Sequence, residues 1–284
     1  MAEESSKAQE TLGVMLIGLA GVREKIKRAD VHIGNLSTDN ARFVQRSGCV
    51  VVEEFDPNTR KHTFRVRCRI PKIDPYFTIV LGESIYHLRT ALDHLVHQLH
   101  VHESDRIGEP VCVSTQRGFP VFRNEPITDK QVSRFKGKVQ KLSASAIADI
   151  TDLQPWRVGP ASATKDHTLV LLDDLHNGDK HRILTVLGGS VNLANYGIGA
   201  HPGMVGHIDV FDSRNFRQSM ALEDGAEIGF YTGNEGVKVD VKTSASISFP
   251  EIGSSKFKPV VPLLQQLRDF VVATIDRFEA DHLT

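Results

Sequence analysis

Hydrophobic and polar positions repeat along this chain with two different periods. In residues 75–101, PYFTIVLGESIYHLRTALDHLVHQLHV, the residues Leu81, Ile85, Leu88, Leu92, Leu95 and Leu99 recur at steps of four and three. That spacing predicts one long helix buried along one side. Pro75 falls near its first turn, where a missing amide proton costs little. Leu12, Met15, Leu16, Leu19, Val22 and Ile26 keep the same rhythm. They predict a first helix over about residues 6–32, a break at Gly34 and a shorter helical piece through Phe43. The period then drops to two. GCVVVEEF and HTFRVRCRI flank a turn at Asp56-Pro57-Asn58, with Arg65, Arg67 and Arg69 on one face of the second strand and Phe64, Val66, Cys68 and Ile70 on the other.

Further along, helices are expected at about 128–136, at 143–153 with Ser143 as cap, and at 166–177, ending at Asn177-Gly178. The runs ILTVLGGSV, GHIDVFD, AEIGFYT and VKVDVKTSASISF alternate over short distances, as in an antiparallel sheet. Val260 to Phe278 returns to helical spacing. Together these predict an α+β fold: a helical bundle with an inserted β-hairpin (residues 48–70) and a C-terminal antiparallel sheet closed by a final helix. We expect a single interwoven domain over 1–284, with a helical part at 1–182 and 256–284 and a sheet part at 183–250.

Composition adds mainly exclusions. With 284 residues, 40% hydrophobic, 24% charged and a net charge of −1, the chain has no overall field to draw it to nucleic acid or membrane. No apolar run reaches the roughly 18 residues of a membrane span, so no membrane association is expected. Cys49, Cys68 and Cys112 form no CxxC pair. They are expected as reduced, buried small side chains in a cytoplasmic protein. P-loop, GxGxxG and GxSxG patterns are absent, so nucleotide cradling and serine-hydrolase chemistry have no support.

The chemistry that is left lies on the polar side of the 75–101 helix. At about 100° per residue, Arg89 and His94 stand roughly 140° apart and straddle the direction opposite the leucines. Such a pair suits metal-independent RNA cleavage, with arginine holding phosphate charge and histidine moving protons. Arg89 and Asp93, four apart, are also placed for a helix-surface ion pair. A metal site built on His87, His94, His97 or His100 is the weaker alternative, because HExxH spacing and paired carboxylates are missing; no metal or cofactor is expected. Arg65, Arg67 and Arg69 form a basic stripe able to follow a nucleic-acid backbone, which Glu53 and Glu54 on the neighbouring strand could neutralise. Lys130, Arg134, Lys136, Lys138 and Lys141 form another.

In its Arg89-x4-His94 pair on a helix, the chain resembles the HEPN superfamily, helical-bundle proteins whose nuclease members carry an Arg-x4-6-His motif and commonly assemble the site across a dimer. Thr90 stands where those members usually have Asn, Asp or His. A second resemblance covers residues 82–182. GESIYHLRTALDHLVHQL, FPVF at 119–122, LQP at 153–155 and LLDDLHNGDKHR at 171–182 look like a family of uncharacterised bacterial proteins with an LRxALDHL helix and a DKHR segment in this order. That resemblance implies a bacterial or phage protein of the cytosol. It joins Arg89, Asp93, His94, Asp179, Lys180, His181 and Arg182 into one expected site. The functional expectation is a HEPN-like RNA-binding protein or metal-independent ribonuclease acting as a homodimer. The alternative is a non-catalytic module that binds another protein, in defence or counter-defence.

Overall fold

The computed structural model describes the backbone at residues 2–108, 118–159, 164–188, 190–191, 196–199, 220–221, 224–225, 227–232, 238–241 and 246–283. Side chains are described from Leu19 onward, apart from Cys49 and those at 190–221, 228–229 and 231–241. The fold is α+β, with a β-hairpin between the first two helices and an antiparallel three-stranded sheet that leads into the last one. The chain forms two compact units: residues 1–34, 79–184 and 264–284 make the first, and 35–78 with 185–263 the second. Three helices, α1 (Ala2–Arg46), α2 (Pro75–Ile107) and α6 (Val260–His282), supply residues to both.

The first unit is helical. Its remaining elements are α3 (Asp129–Val139), α4 (Ala144–Asp152), two short 3-10 turns at Pro155–Val158 and Thr164–Asp166, and α5 (Thr168–His181). All six residues of the predicted α2 stripe are 0–2% exposed. Val22, Ile26, Ala29 and Ile33 of α1, Leu169, Leu171 and Leu172 of α5, and Leu264, Leu267, Val271, Ile275 and Phe278 of α6 are buried in the same unit. Local signals set several helix starts. Thr128 and Gln131 form a reciprocal capping box at α3, and the Ser143 hydroxyl accepts the Ala146 amide at α4.

The second unit holds the sheets. Strands β1 (Gly48–Asp56) and β2 (Lys61–Arg69) pair antiparallel from Gly48↔Arg69 to Asp56↔Lys61. Their turn is closed by Asp56, whose carboxylate accepts the Asn58 amide at 2.9 Å and the Thr59 hydroxyl at 2.7 Å. Next come β3 (Leu187–Gly188), β4 (Ser190–Val191), β5 (Tyr196–Gly199), β6 (Met220–Ala221), β7 (Glu227–Thr232), β8 (Lys238–Val241), β9 (Ile247–Ile252) and β10 (Ser255–Pro259). β7 joins the hairpin in the order β1-β2-β7, and β10-β9-β3 forms the C-terminal sheet. β4 pairs with β6 and β5 with β8. The expected strand at 206–212 lies outside the described residues.

Three local expectations are corrected. α1 does not break at Gly34: one glycine costs a helix only about 1 kcal/mol, and Ile33 and Leu36 on either side bury 93% and 99% of their surface. α5 does not stop at Asn177-Gly178 but runs to His181, where Lys180 and His181 meet the negative end of the helix dipole. Cys68 is disulfide-bonded, against the reading of all three cysteines as reduced. In the β1–β2 ladder the backbone of residue 68 pairs with that of residue 49. Among the described residues, no helix is long and apolar enough to cross a membrane.

Candidate functional site

α2 and α5 run antiparallel, which follows from their contacts in sequence order. Asp173 meets Arg89, the His176 ring lies 6.3 Å from that of Tyr86, and Asp179 lies over Gly82. The apolar faces of both helices are spent in the core, so the polar side chains meet along the seam between them.

Arg89 is the centre of this seam and is only 8% exposed. Nη1 donates to Asp93 Oδ1 at 2.5 Å, Nη2 donates to the Phe119 carbonyl at 2.9 Å, and Nε lies 3.5 Å from Asp173 Oδ1. Asp93 Oδ1 also accepts the Phe119 amide at 2.8 Å. The Arg89–Asp93 pair thus grips both backbone polar groups of Phe119, whose ring is wholly buried. A Cβ on Gly118 would stand 2.7 Å from Asp93 Oδ1, so any larger residue there must displace that carboxylate. One residue further, Gln154 repeats the device: its amide nitrogen donates to the Pro120 carbonyl at 2.9 Å and its oxygen accepts the Phe122 amide at 3.0 Å. Arg123 then pairs with Asp174. The four segments singled out in the sequence, around Arg89, FPVF, LQP and the start of LLDDLHNGDKHR, therefore converge on a single strap at 118–123.

The ionisable groups around the strap respond to their burial. Burial foremost, and then the nearby Arg89 guanidinium, lower the Lys138 pKa. Burial raises Asp174 above the ordinary carboxylate value, against the opposing pull of Arg123. His176 is pushed down to about 4, chiefly by burial and then by Lys180 and Arg89; its Nε2 has no hydrogen-bond partner among the described residues.

Not every expected site residue joins this network. Asp179 packs on Gly82, about 10 Å along α2 from Arg89 at 1.5 Å per residue. Lys180, His181 and Arg182 are exposed at the end of α5. His94 is exposed, and partial desolvation followed by the Lys25 cation lowers its pKa, so the ring is neutral at pH 7. Arg65 is held by Glu54, Glu227 and the Gly225 carbonyl, and Arg67 by Glu54, which neutralises most of the β2 stripe; Arg69 is exposed. Asp173, Asp174 and Gln154 were missed from sequence, although Asp173, His176 and Lys180 recur at helical spacing on one face of α5. Among the described residues, no group of three or more His, Cys, Asp or Glu side chains is arranged to hold a metal ion. A separate open groove of about 440 Å³ lies along α1 and α6, spanned by the Arg268–Asp30 ion pair with contacts of 2.8 and 3.2 Å.

Gly82 offers a test of the α2–α5 seam. A Cβ there would come within 2.4 Å of Asp179 Oδ1. Gly82→Ala in the wild-type background is expected to destabilise or leave stability unchanged, as the carboxylate is displaced. In an Asp179→Ala background the same change should stabilise by up to about 1 kcal/mol through helix propensity. Urea unfolding of the four chains checks this reversal of sign.

No protein-family model, curated protein or solved structure matches this chain.

Proposed function

We propose that this protein is a non-catalytic interaction module of HEPN-like, helical-bundle type, and that the polar α2–α5 seam is its scaffold and the outward face of α2 its binding surface. The observation that carries this reading is the engagement of Arg89. A guanidinium that is only 8% exposed, donates to Asp93 and the Phe119 carbonyl and lies beside Asp173 is committed inside the fold rather than presented to a scissile phosphate. Receiving one would strip two carboxylates of their partner. The outward face of α2, by contrast, presents Ile79, Glu83, Tyr86, His94 and His97, with Ile79 53% and Tyr86 47% exposed. An exposed aromatic among polar groups suits a protein interface. The same reading makes the protein a cytoplasmic homodimer of bacterial or phage origin, with a partner in defence or counter-defence.

RNA binding is the second reading, favoured by one specific observation. Lys25 Nζ lies over the Tyr86 ring at 5.1 Å, with Arg28 one turn further along α1. Neither cation has a carboxylate partner among the described residues, and cations beside an exposed ring can hold a stacked base and its phosphate.

A fluorescent single-stranded RNA in EDTA separates catalysis from binding. The expected result is intact RNA with the wild type, His94→Ala and Arg89→Ala alike. General acid or base catalysis contributes about 10² to 10⁴ in rate. Cleavage by the wild type that falls by that factor in a folded His94→Ala chain would overturn the non-catalytic reading. Anisotropy of the same RNA reports the second reading, which requires binding that weakens in Tyr86→Ala.

A further inference from the structure

Tyr86 stands between two neighbouring helices of the first unit. On the α1 side Lys25 Nζ lies 5.1 Å over its ring, and on the α5 side the His176 ring lies 6.3 Å away. Ile79, Tyr86 and His97 recur after seven and then eleven residues, which keeps them within about 20° of one line along α2. All three are exposed. Cations border this line on both sides. Lys25 and Arg28 flank it from α1, close enough for both charges to bear on the His87 ring. The Asp179–Gly82 contact sets the end of α5 against α2, so Lys180 and Arg182 flank the line from there, with Ile183 70% exposed beside them. None of these four cations has a carboxylate partner among the described residues. Arg23, Lys27 and Arg42 of α1, by contrast, are each matched by at least one. The carboxylates of this face are already placed: Glu83 lies 3.6 Å from His32 Nδ1, and Asp179 packs on Gly82.

We propose that this face, on the reading that α2 carries the binding surface, takes an acidic amphipathic helix of a partner protein, its apolar side on Ile79 and Tyr86 and its carboxylates on the cations of α1 and α5. An exposed apolar line edged by unpaired charge of one sign is the complement of a helix with apolar residues at i, i+3, i+4 and i+7 and Asp or Glu at its flanks. The whole chain carries a net charge of −1, so the attraction belongs to this face and not to the molecule. A nucleic acid fits it less well. The Lys25 ammonium already covers one face of the Tyr86 ring, so a base must displace it to stack there, and Ile79 and Ile183 give a base and its phosphate nothing to pair with.

Fluorescence anisotropy of the full chain with a designed helical peptide of about 16 residues, leucine on one face and glutamate at its flanks, tests this. It should bind about tenfold more tightly than the same peptide with glutamine for glutamate, and more weakly as salt rises from about 50 to 300 mM. The pair Lys25→Glu with Arg28→Glu, the pair Lys180→Glu with Arg182→Glu, and Tyr86→Ala should each cost about tenfold in affinity. Lys130→Glu with Lys136→Glu on α3, the same charge change elsewhere, should cost less than about threefold. If Lys25→Glu does not fold, Arg28→Glu alone, at an exposed position, replaces that pair. Equal binding of the glutamate and glutamine peptides, abolished by Tyr86→Ala, overturns the acidic partner and leaves the α2 face as the binding surface. Binding that survives Tyr86→Ala and both reversals removes that face as well. An equal loss in the α3 control, or no binding of either peptide, overturns the proposal. Tighter binding of single-stranded RNA than of the glutamate peptide, lost in Tyr86→Ala, overturns it in favour of nucleic acid.

Discussion

Asp93→Ala is expected to destabilise the helical unit by about 3 kcal/mol, near the low end for breaking a buried ion pair because the Asp93 side chain keeps 30% of its exposure. The change removes two interactions at once. It leaves the buried Arg89 guanidinium short of its shortest contact and orphans the Phe119 amide at the centre of the strap. For a chain of this size the loss corresponds to roughly 6–12 °C in melting temperature. Arg89→Met should cost less, because Asp93 still accepts the Phe119 amide and the thioether chain fills part of the space. The double variant should be more stable than the sum of the singles by about 1–3 kcal/mol, the coupling expected within one ion-pair network. Denaturant unfolding of the four chains measures the cycle. Additive losses would show that Arg89 and Asp93 do not act together and would remove the scaffold role assigned to them.

His176 carries the second large effect, and its sign follows from linkage. The folded-state pKa is about 4 and the ordinary value 6.5, so between those limits the unfolded chain binds the proton that the fold refuses. The stabilisation is complete above pH 6.5 and is lost as the pH falls towards 4. The full shift sets a ceiling of about 3 kcal/mol. Solvent screening at a seam near the surface reduces that to roughly 1–2 kcal/mol. Asp179 works in the opposite direction, because burial raises its pKa and acid returns stability there. His176→Phe should flatten the fall in stability between pH 6.5 and 4.5 and leave stability at pH 8 little changed or higher. An unaltered pH slope in that variant would mean that His176 is not a buried neutral base in the fold.

The predicted outcomes for Arg89 and His176 differ from a simple reading of the polar helix face, and the cause is tertiary. Local pattern alone identified the leucine stripe of α2, the cap at Ser143 and the turn at Asp56, because each depends on residues a few positions apart, whereas the Thr128 capping box emerged only from the structure. The β1–β2 hairpin was legible for the same reason, including the arginines of β2 and their neutralisation by Glu54 across the ladder. The expected joining of Arg89 and Asp93 with Asp179 to Arg182 picked the wrong half of LLDDLHNGDKHR: Asp173 and Asp174 reach the network, while Asp179 lies over Gly82 and Lys180, His181 and Arg182 are exposed. What the one-dimensional pattern could not decide was which carboxylate reaches Arg89. Asp173 and Asp179 differ by under two helical turns, and only the antiparallel docking of α5 on α2 gives Asp173 to the guanidinium and Asp179 to Gly82.

A helix wheel likewise placed Arg89 on the polar side of α2, away from the leucines, as a candidate to hold phosphate charge. The 118–123 strap and α5 form a second layer over that face, and a fork-shaped cation with five donors is well suited to tie the layer down. The stacking of His32 of α1 on His87 of α2, ring centroids 5.6 Å apart, lay deeper still, because 55 residues separate them in sequence. The local sequence thus determined which elements form and which faces are apolar, because short-range sterics and periodic burial set both. Tertiary packing decided which polar groups are sealed, paired or left facing water, because that depends on which helices dock and in what register.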